Sequence, residues 1–231
     1  MVIGKGLIAQ RFAGYAQNDH VVIFASGVSH SKSNDPSAFE REKTFLTETL
    51  LRHPGKQFVY FSTCSVYDPA EKESPYVLHK LQMEKIITQT AGQYRIFRLS
   101  NLAGHTGNPN TILNFLVTHI REGQHFVLWE NASRNIIDID DAYHIIDHIL
   151  TQQLFENTIL NIANPDSYPV RLMVQEIERF LQTDANYSTA DKGIGFSIDI
   201  TAITPLISSL GLVFGDQYFS NLLGKYYGTS T

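Results

Sequence analysis

The sequence predicts an α/β chain built on a parallel sheet with helices on both faces. Two observations carry this. Short β-branched and aromatic runs alternate with longer stretches of helical periodicity, the order that a parallel sheet and its crossovers require. Two of those runs, Val21-Val22-Ile23-Phe24 and Phe58-Val59-Tyr60-Phe61, are apolar without interruption, as strands buried on both faces are.

Val2-Ile3 reads as a short first strand that stops at Gly4-Lys5-Gly6. Leu7, Ile8, Phe12 and Tyr15 follow near helical spacing, with Gly14 weakening the helix. Asn18-Asp19-His20 signals a turn before the strand at 21–24. Residues 29–36 are polar and read as a loop, 39–52 as a helix, and 58–61 as a strand. Residues 76–91 read as a long helix without internal Gly or Pro, and 94–99 as a third strand. The second half is less regular: helices over 111–122 and 141–151, short strands at 127–129, 136–139 and 158–162, a helix over 170–181 after Pro169, and a mixed tail to Tyr227. No repeat, low-complexity segment or linker interrupts the chain. A single domain over 1–231 is therefore expected, with a lobe formed mainly by about 105–135 and 165–231 packed on the sheet.

With 231 residues, 43% of them apolar, the chain has enough for a sizeable core. The net charge is −5 and no Lys/Arg block occurs, which argues against a nucleic-acid partner. An anionic ligand would need local donors, because the overall field does not attract it. The opening apolar run is broken at once by glycine and lysine, unlike a signal peptide, and no run of about 18 apolar residues suggests a membrane span. Cys64 is the sole cysteine, so no internal disulfide forms, which fits a cytoplasmic location.

Gly4-Lys5-Gly6-Leu7-Ile8-Ala9 fits G-x-G-x-x-G/A between a strand and a helix, where backbone N–H groups meet a pyrophosphate. The alternative is a tight turn that needs small residues. The next strand ends in Ala25-Ser26-Gly27, with neither the acidic residue that holds an adenosine ribose nor an arginine for a 2′-phosphate, so adenosine recognition is expected to be weak or unusual. Tyr76 and Lys80 lie four apart, one turn along a helix face. An ammonium there favours phenolate and equips the tyrosine for proton transfer near neutral pH. The alternative is an exposed pair of no consequence. Ser62-Thr63-Cys64-Ser65 follows a central strand at the end where ligands bind in such sheets; Thr63 is placed to hydrogen-bond a reacting carbonyl, or else merely caps the strand. Nothing pairs Cys64 with a histidine base, and no His or acidic cluster has metal-ligand spacing; His144 and His148 fit a structural helix face.

Together these motifs resemble the extended short-chain dehydrogenase/reductase family, which includes NAD-dependent epimerases, dehydratases and ketoreductases of nucleotide-sugars. The resemblance runs over nearly the whole chain and implies a Rossmann-like fold, with the lobe of about 105–135 and 165–231 as its substrate-binding part. It assigns Gly4, Lys5, Gly6, Leu7 and Ile8 to the cofactor loop, and Ala25, Ser26, Gly27 and Ser62 to the nicotinamide side. It makes Thr63, Tyr76 and Lys80 catalytic, with Lys80 also on the nicotinamide ribose. Ser65, Asn101 and Arg134 would face the substrate, Arg134 through its diphosphate. Three departures stand out. The segment before Val21 leaves no room for the second and third family strands, so the strand number is reduced. Glu42-Lys43 stands near the place of a helical Asn. Cys64-Ser65 replaces the Asp-Glu of 4,6-dehydratases, which disfavours elimination of water.

The implied function is NAD- or NADP-dependent epimerisation or ketosugar reduction on a nucleotide-sugar, in polysaccharide biosynthesis, with Tyr76 as general acid/base. The alternative is a non-catalytic nucleotide-sugar-binding or regulatory protein that lost tight dinucleotide binding. A homodimer through 39–52 and 76–91 is expected.

Overall fold

In the computed structural model residues 1–228 are described. A five-stranded parallel sheet forms the centre, in the order β1 (Val2–Ile3), β2 (Val21–Phe24), β3 (Gln57–Thr63), β4 (Tyr94–Leu99), β8 (Thr158–Ile162). Helices α1 (Leu7–Arg11), α2 (Pro36–Arg52), α3 (Pro75–Thr90) and α5 (Ile139–Thr151) make the crossovers.

The pleat sorts the strand side chains into two cores. Val21, Ile23, Val59, Phe61, Phe97 and Leu99 point to one face, where Phe12 and Ile145, Ile146 and Ile149 of α5 cover them. Val22, Phe24, Phe58, Tyr60 and Ile96 point to the other, under Leu46 and Leu50 of α2 and Met83 and Ile87 of α3. Burial on both faces is why these strands carry no polar alternation.

A second group of elements stands beyond the strand ends: β5 (Asn101–Ala103), α4 (Ile112–Arg121), β6 (Phe126–Trp129), β7 (Ser133–Asp138), β9 (Ser167–Pro169), α6 (Val170–Leu181), β10 (Tyr187–Ala190) and α8 (Tyr218–Tyr227). β5 pairs parallel and β9 antiparallel with β7, and β6 pairs parallel with β10. Leu116, Ile120, Met173, Ile177, Phe219 and Leu223 form its core. The short helix α7 (Thr204–Ser209) returns to the sheet, burying Ile203 and Ile207 against the α5 face. Phe214 touches both cores.

The C-terminal helix α8 is tied to the start of the chain. Lys225 Nζ donates to Asp138 and to Asp140, each at 2.7 Å, and Asp140 also accepts from Arg11 Nε at 2.5 Å. Tyr226 donates to Asp138 at 2.6 Å, and Tyr218 to Asp141 at 2.6 Å.

The first helix is shorter than its spacing suggests: α1 ends at Arg11, and Ala13–Tyr15 is a 3-10 turn. Helix α2 begins three residues before the expected 39, because Asp35 caps it by accepting from the Ser37 amide and Pro36 takes the first helical position. Strand β7 begins at Ser133 and α5 at Ile139, where 136 and 141 were expected. Among the described residues no helix is long and apolar enough to cross a membrane.

Candidate active site

The cleft opens at the C-terminal ends of β1, β2, β3 and β4, where the parallel strands release their chain into loops. It holds about 560 Å³, within the usual range for a small-molecule site. One wall is the turn between β1 and α1, with Lys5, Gly6, Leu7 and Ile8. Ala25 to Ser29 after β2 and Ser62 to Ser65 at the end of β3 form the floor. Tyr76 and Lys80 of α3 stand on another side, and Asn101, Asn108, Thr111 and Asn135 come from beyond the sheet. Phe196 and Ile198, from the segment between β10 and α7, also line it.

The glycine turn is shaped for a close approach. Gly4 has φ +131°, and a Cβ there would lie 2.3 Å from the Ala25 carbonyl oxygen, so only glycine fits between β1 and β2. At Gly6 a Cβ would meet nothing within 4 Å; the space beside it belongs to the cleft. The exposed side chains of Lys5 and Arg41 also line the cleft, and among the described residues neither makes an ion pair. They are local cations of the kind an anionic ligand needs on a chain of net charge −5.

Helix α3 starts with Ser74, whose Oγ accepts from the Val77 amide at 3.3 Å, and with Pro75 at its first position. That start sets Tyr76 in the first turn and Lys80 one turn later, both buried against the cleft. The Lys80 ammonium is 5.9 Å from the centre of the Tyr76 ring. Its nearer partners were not foreseen: Nζ donates to Glu42 Oε1 at 3.1 Å and to the Tyr60 hydroxyl at 3.0 Å. Tyr60 donates in turn to Glu42 at 2.6 Å, the Val28 amide donates to the other carboxylate oxygen at 2.6 Å, and His79 Nε2 lies 3.0 Å from it. Burial alone would raise the Glu42 carboxyl. The Lys80 ammonium, with the donors His79, Tyr60 and Val28, outweighs it and holds the group at about 2. Desolvation and the adjacent carboxylate push the Tyr60 phenol well above its ordinary range. Lys43, the neighbour of Glu42, turns outward to Glu40.

Thr63 ends β3. Its Oγ1 accepts from the Ser65 amide and donates to Ser65 Oγ, both at 3.0 Å. Ser62 donates to Glu84 at 2.6 Å, and Glu84 takes a two-pronged contact from Arg98, with Nε at 2.9 Å and Nη2 at 2.6 Å. Cys64 is buried between them with its Sγ 3.1 Å from the Arg98 carbonyl, and desolvation pushes its thiol to about 12. That environment suits a structural cysteine, not a nucleophile.

Of the residues singled out in the sequence, Lys5, Gly6, Leu7, Ile8, Ala25, Ser26, Gly27, Ser62, Thr63, Ser65, Tyr76, Lys80 and Asn101 all border this cleft. Gly4 shapes the turn from behind. Arg134 does not reach the cleft: its Nη1 donates to the Ser133 carbonyl at 2.8 Å and sits 4.0 Å from Asp68. Asn101 donates to the Asn135 carbonyl at 2.8 Å. Among the described residues no group of three His, Cys, Asp or Glu side chains is placed to hold a metal.

Residues 5–163 match the family model described as the NAD dependent epimerase/dehydratase family. The chain belongs to that family. No curated protein matches it in sequence. Among solved structures, this epimerase/dehydratase family member is similar to a dTDP-glucose 4,6-dehydratase from Bacillus anthracis in complex with NAD. The two share 18% identity, the match covers 96% of this chain and 76% of the other, and the TM-score is 0.70. It is also similar to the UDP-glucose 4-epimerase of Thermus thermophilus in complex with NAD, at 16% identity, 96% and 82% coverage and a TM-score of 0.69. A third match is an NAD-dependent NDP-hexosamine 5,6-dehydratase of tunicamycin biosynthesis, at 15% identity, 98% and 82% coverage and a TM-score of 0.71. At these identities the matches establish the Rossmann-like fold. In this family member β1, next to the cleft, is the edge of the sheet among the described residues, which is the reduced strand number expected before Val21.

Proposed function

We propose that this family member is an NAD(P)-dependent epimerase or ketosugar reductase of a nucleotide-sugar, with Tyr76 as general acid/base. One observation carries the reading: Thr63, Tyr76 and Lys80 meet the open side of the glycine turn in a single cleft. The residues present fit the phosphate and nicotinamide portions of a dinucleotide. Gly6 leaves free space, Lys5 supplies a cation, and Ala25 to Gly27 form a smooth floor. A bound nicotinamide supplies hydride exchange at a sugar carbon. Tyr76 moves the proton at the sugar oxygen, giving it up in reduction and taking it in oxidation. Thr63 Oγ1 turns from Ser65 to donate to that oxygen. Lys80 would hold the nicotinamide ribose. Cys64-Ser65 supplies no acid–base pair for elimination, which favours epimerisation or reduction over dehydration.

The test is turnover. NADH or NADPH is mixed with ketosugar nucleotides, and the near-ultraviolet absorbance of the reduced cofactor is followed. The expected result is consumption that Tyr76→Phe lowers by about 10²-fold or more. Absence of consumption, or an unaffected Tyr76→Phe variant, refutes the reductase.

The position of β1 at the sheet edge favours a second reading, a nucleotide-sugar-binding protein without dinucleotide affinity. Calorimetry with NAD, NADP and nucleotide-sugars separates the two. We also propose a homodimer through α2 and α3, on whose surfaces Phe45, Leu51 and Leu78 are exposed.

A further inference from the structure

Glu42 takes no part in the chemistry above, yet its side chain is fully buried beside the cleft with Lys80 as its ion-pair partner. A carboxylate in that position needs compensation from every side, and it has it. The Val28 amide approaches from the loop after β2, the Tyr60 hydroxyl from β3, and His79 and Lys80 from α3. The Lys80 ammonium has three hydrogens. Two are committed, to Glu42 Oε1 and to the Tyr60 oxygen, and the third is left for a ligand. Gly27 closes the arrangement: a Cβ there would lie 2.6 Å from Lys80 Nζ and 2.8 Å from Glu42 Oε1.

We propose that Glu42 is the positioning residue of this site: it fixes the Lys80 ammonium by direct contact and sets how much of that charge the Tyr76 phenol feels. The proposal rests on the reading of Tyr76 as the acid/base. An ammonium with a carboxylate 3.1 Å away presents a dipole to its surroundings, and a dipole's field fades faster than that of a single charge. Other charges near Tyr76 either balance or lie further out. Glu84, about two turns along α3 from Tyr76, is paired with Arg98 of β4, Lys5 and Arg41 line the cleft with exposed side chains, and His79 contacts the Glu42 carboxylate. Neutralising Glu42 alone therefore leaves one uncompensated buried cation beside Tyr76. At roughly 6 Å and an effective dielectric of about 20, such a charge lowers the pH at which the phenol ionises by about two units, or about one with partial solvent screening.

The experiment is a spectroscopic pH titration of tyrosinate in the full chain without added ligand. Each protein is read against its own Tyr76→Phe counterpart so that the difference reports Tyr76. Relative to wild type, where the ion pair's residual field already acts, Glu42→Gln is expected to titrate about one pH unit lower, and Lys80→Met higher, since it leaves the carboxylate alone. The double variant Glu42→Gln/Lys80→Met exchanges one neutral pair for another and is expected within about half a unit of wild type. A Glu42 that serves stability only would lower the melting temperature of Glu42→Gln and leave the Tyr76 titration in place; that result overturns the proposal. Should Glu42→Gln fail to fold, the double variant carries the test, because no buried charge stands alone in it. A titration more than a unit above wild type would then show Lys80 acting uncompensated and overturn the proposal. None of these readings needs turnover, so loss of the proposed activity and loss of this inference are told apart.

Discussion

Gly27→Ala examines the close packing of the site with one methyl group. The added Cβ would stand 2.6 Å from Lys80 Nζ, about 1 Å inside ordinary contact, and 2.8 Å from Glu42 Oε1. Lysine ends are flexible elsewhere, but here retreat takes Nζ away from both Glu42 and Tyr60. Weakening one charge-assisted bond costs about 1.5–3 kcal/mol, and inserting a methyl group into a packed interior typically costs about 1–3 kcal/mol. The two describe the same displacement, so about 2 kcal/mol is the working figure. For a chain of this size that lowers the melting temperature by roughly 4–8 °C. The assay is thermal unfolding of both proteins in one buffer, with Gly14→Ala as control, because a Cβ at Gly14 meets nothing within 4 Å. A Gly27→Ala melting temperature within 1 °C of wild type would refute the reasoning: the Glu42–Lys80–Tyr60 unit would then be loose enough to absorb a methyl group.

The held-down Glu42 carboxyl gives a pH prediction. Its folded value of about 2 lies below the ordinary glutamate value of 4.5, so it contributes stability that is fully present above about 4.5 and fades as pH falls toward 2. On the order of 3 kcal/mol is involved. The urea midpoint of wild type is expected to fall more steeply than that of Glu42→Gln between pH 5 and pH 3, and parallel slopes would contradict this. Cys64 is expected to resist thiol reagents at neutral pH in the native protein and to react once denaturant is added; rapid native labelling would contradict its burial. Glu84→Ala leaves Arg98 and the Ser62 hydroxyl without their carboxylate and is expected to destabilise by about 2–4 kcal/mol in denaturant unfolding, with an effect under 0.5 kcal/mol counting against the pairing.

Much of the central sheet was legible because each strand there is defined by its own residues. Val21–Phe24, Tyr94–Leu99 and Thr158–Ile162 stand where their apolar runs place them. The strands that escaped, β5, β9 and β10, are three or four residues long and exist through pairing with β7 or β6, far along the chain. No local pattern announces such a strand. The earlier start of α2 has a local signal in Asp35-Pro36, whereas apolar periodicity alone begins the helix at 39.

At the site, the glycine turn and the Tyr76–Lys80 pair carry spacing that sequence preserves, and both border the cleft. Arg134 was placed by resemblance alone, and its side chain turns back to its own strand and to Asp68. Glu42 was noticed only as a replacement. Its spacing with Leu46, Thr49 and Leu50 sets it on the buried stripe of α2, and an acid on an apolar stripe calls for a cation. Which cation answers it is a matter of tertiary structure.

The chain of contacts from Arg11 through Asp140 to Lys225 has a mechanical consequence. The helix that leaves the glycine turn is braced, through one shared carboxylate, by a residue of α8. Loss of Lys225 would leave that carboxylate to Arg11 alone, so a change made in α8 reaches the helix behind the ligand-facing turn, more than 200 positions away along the sequence.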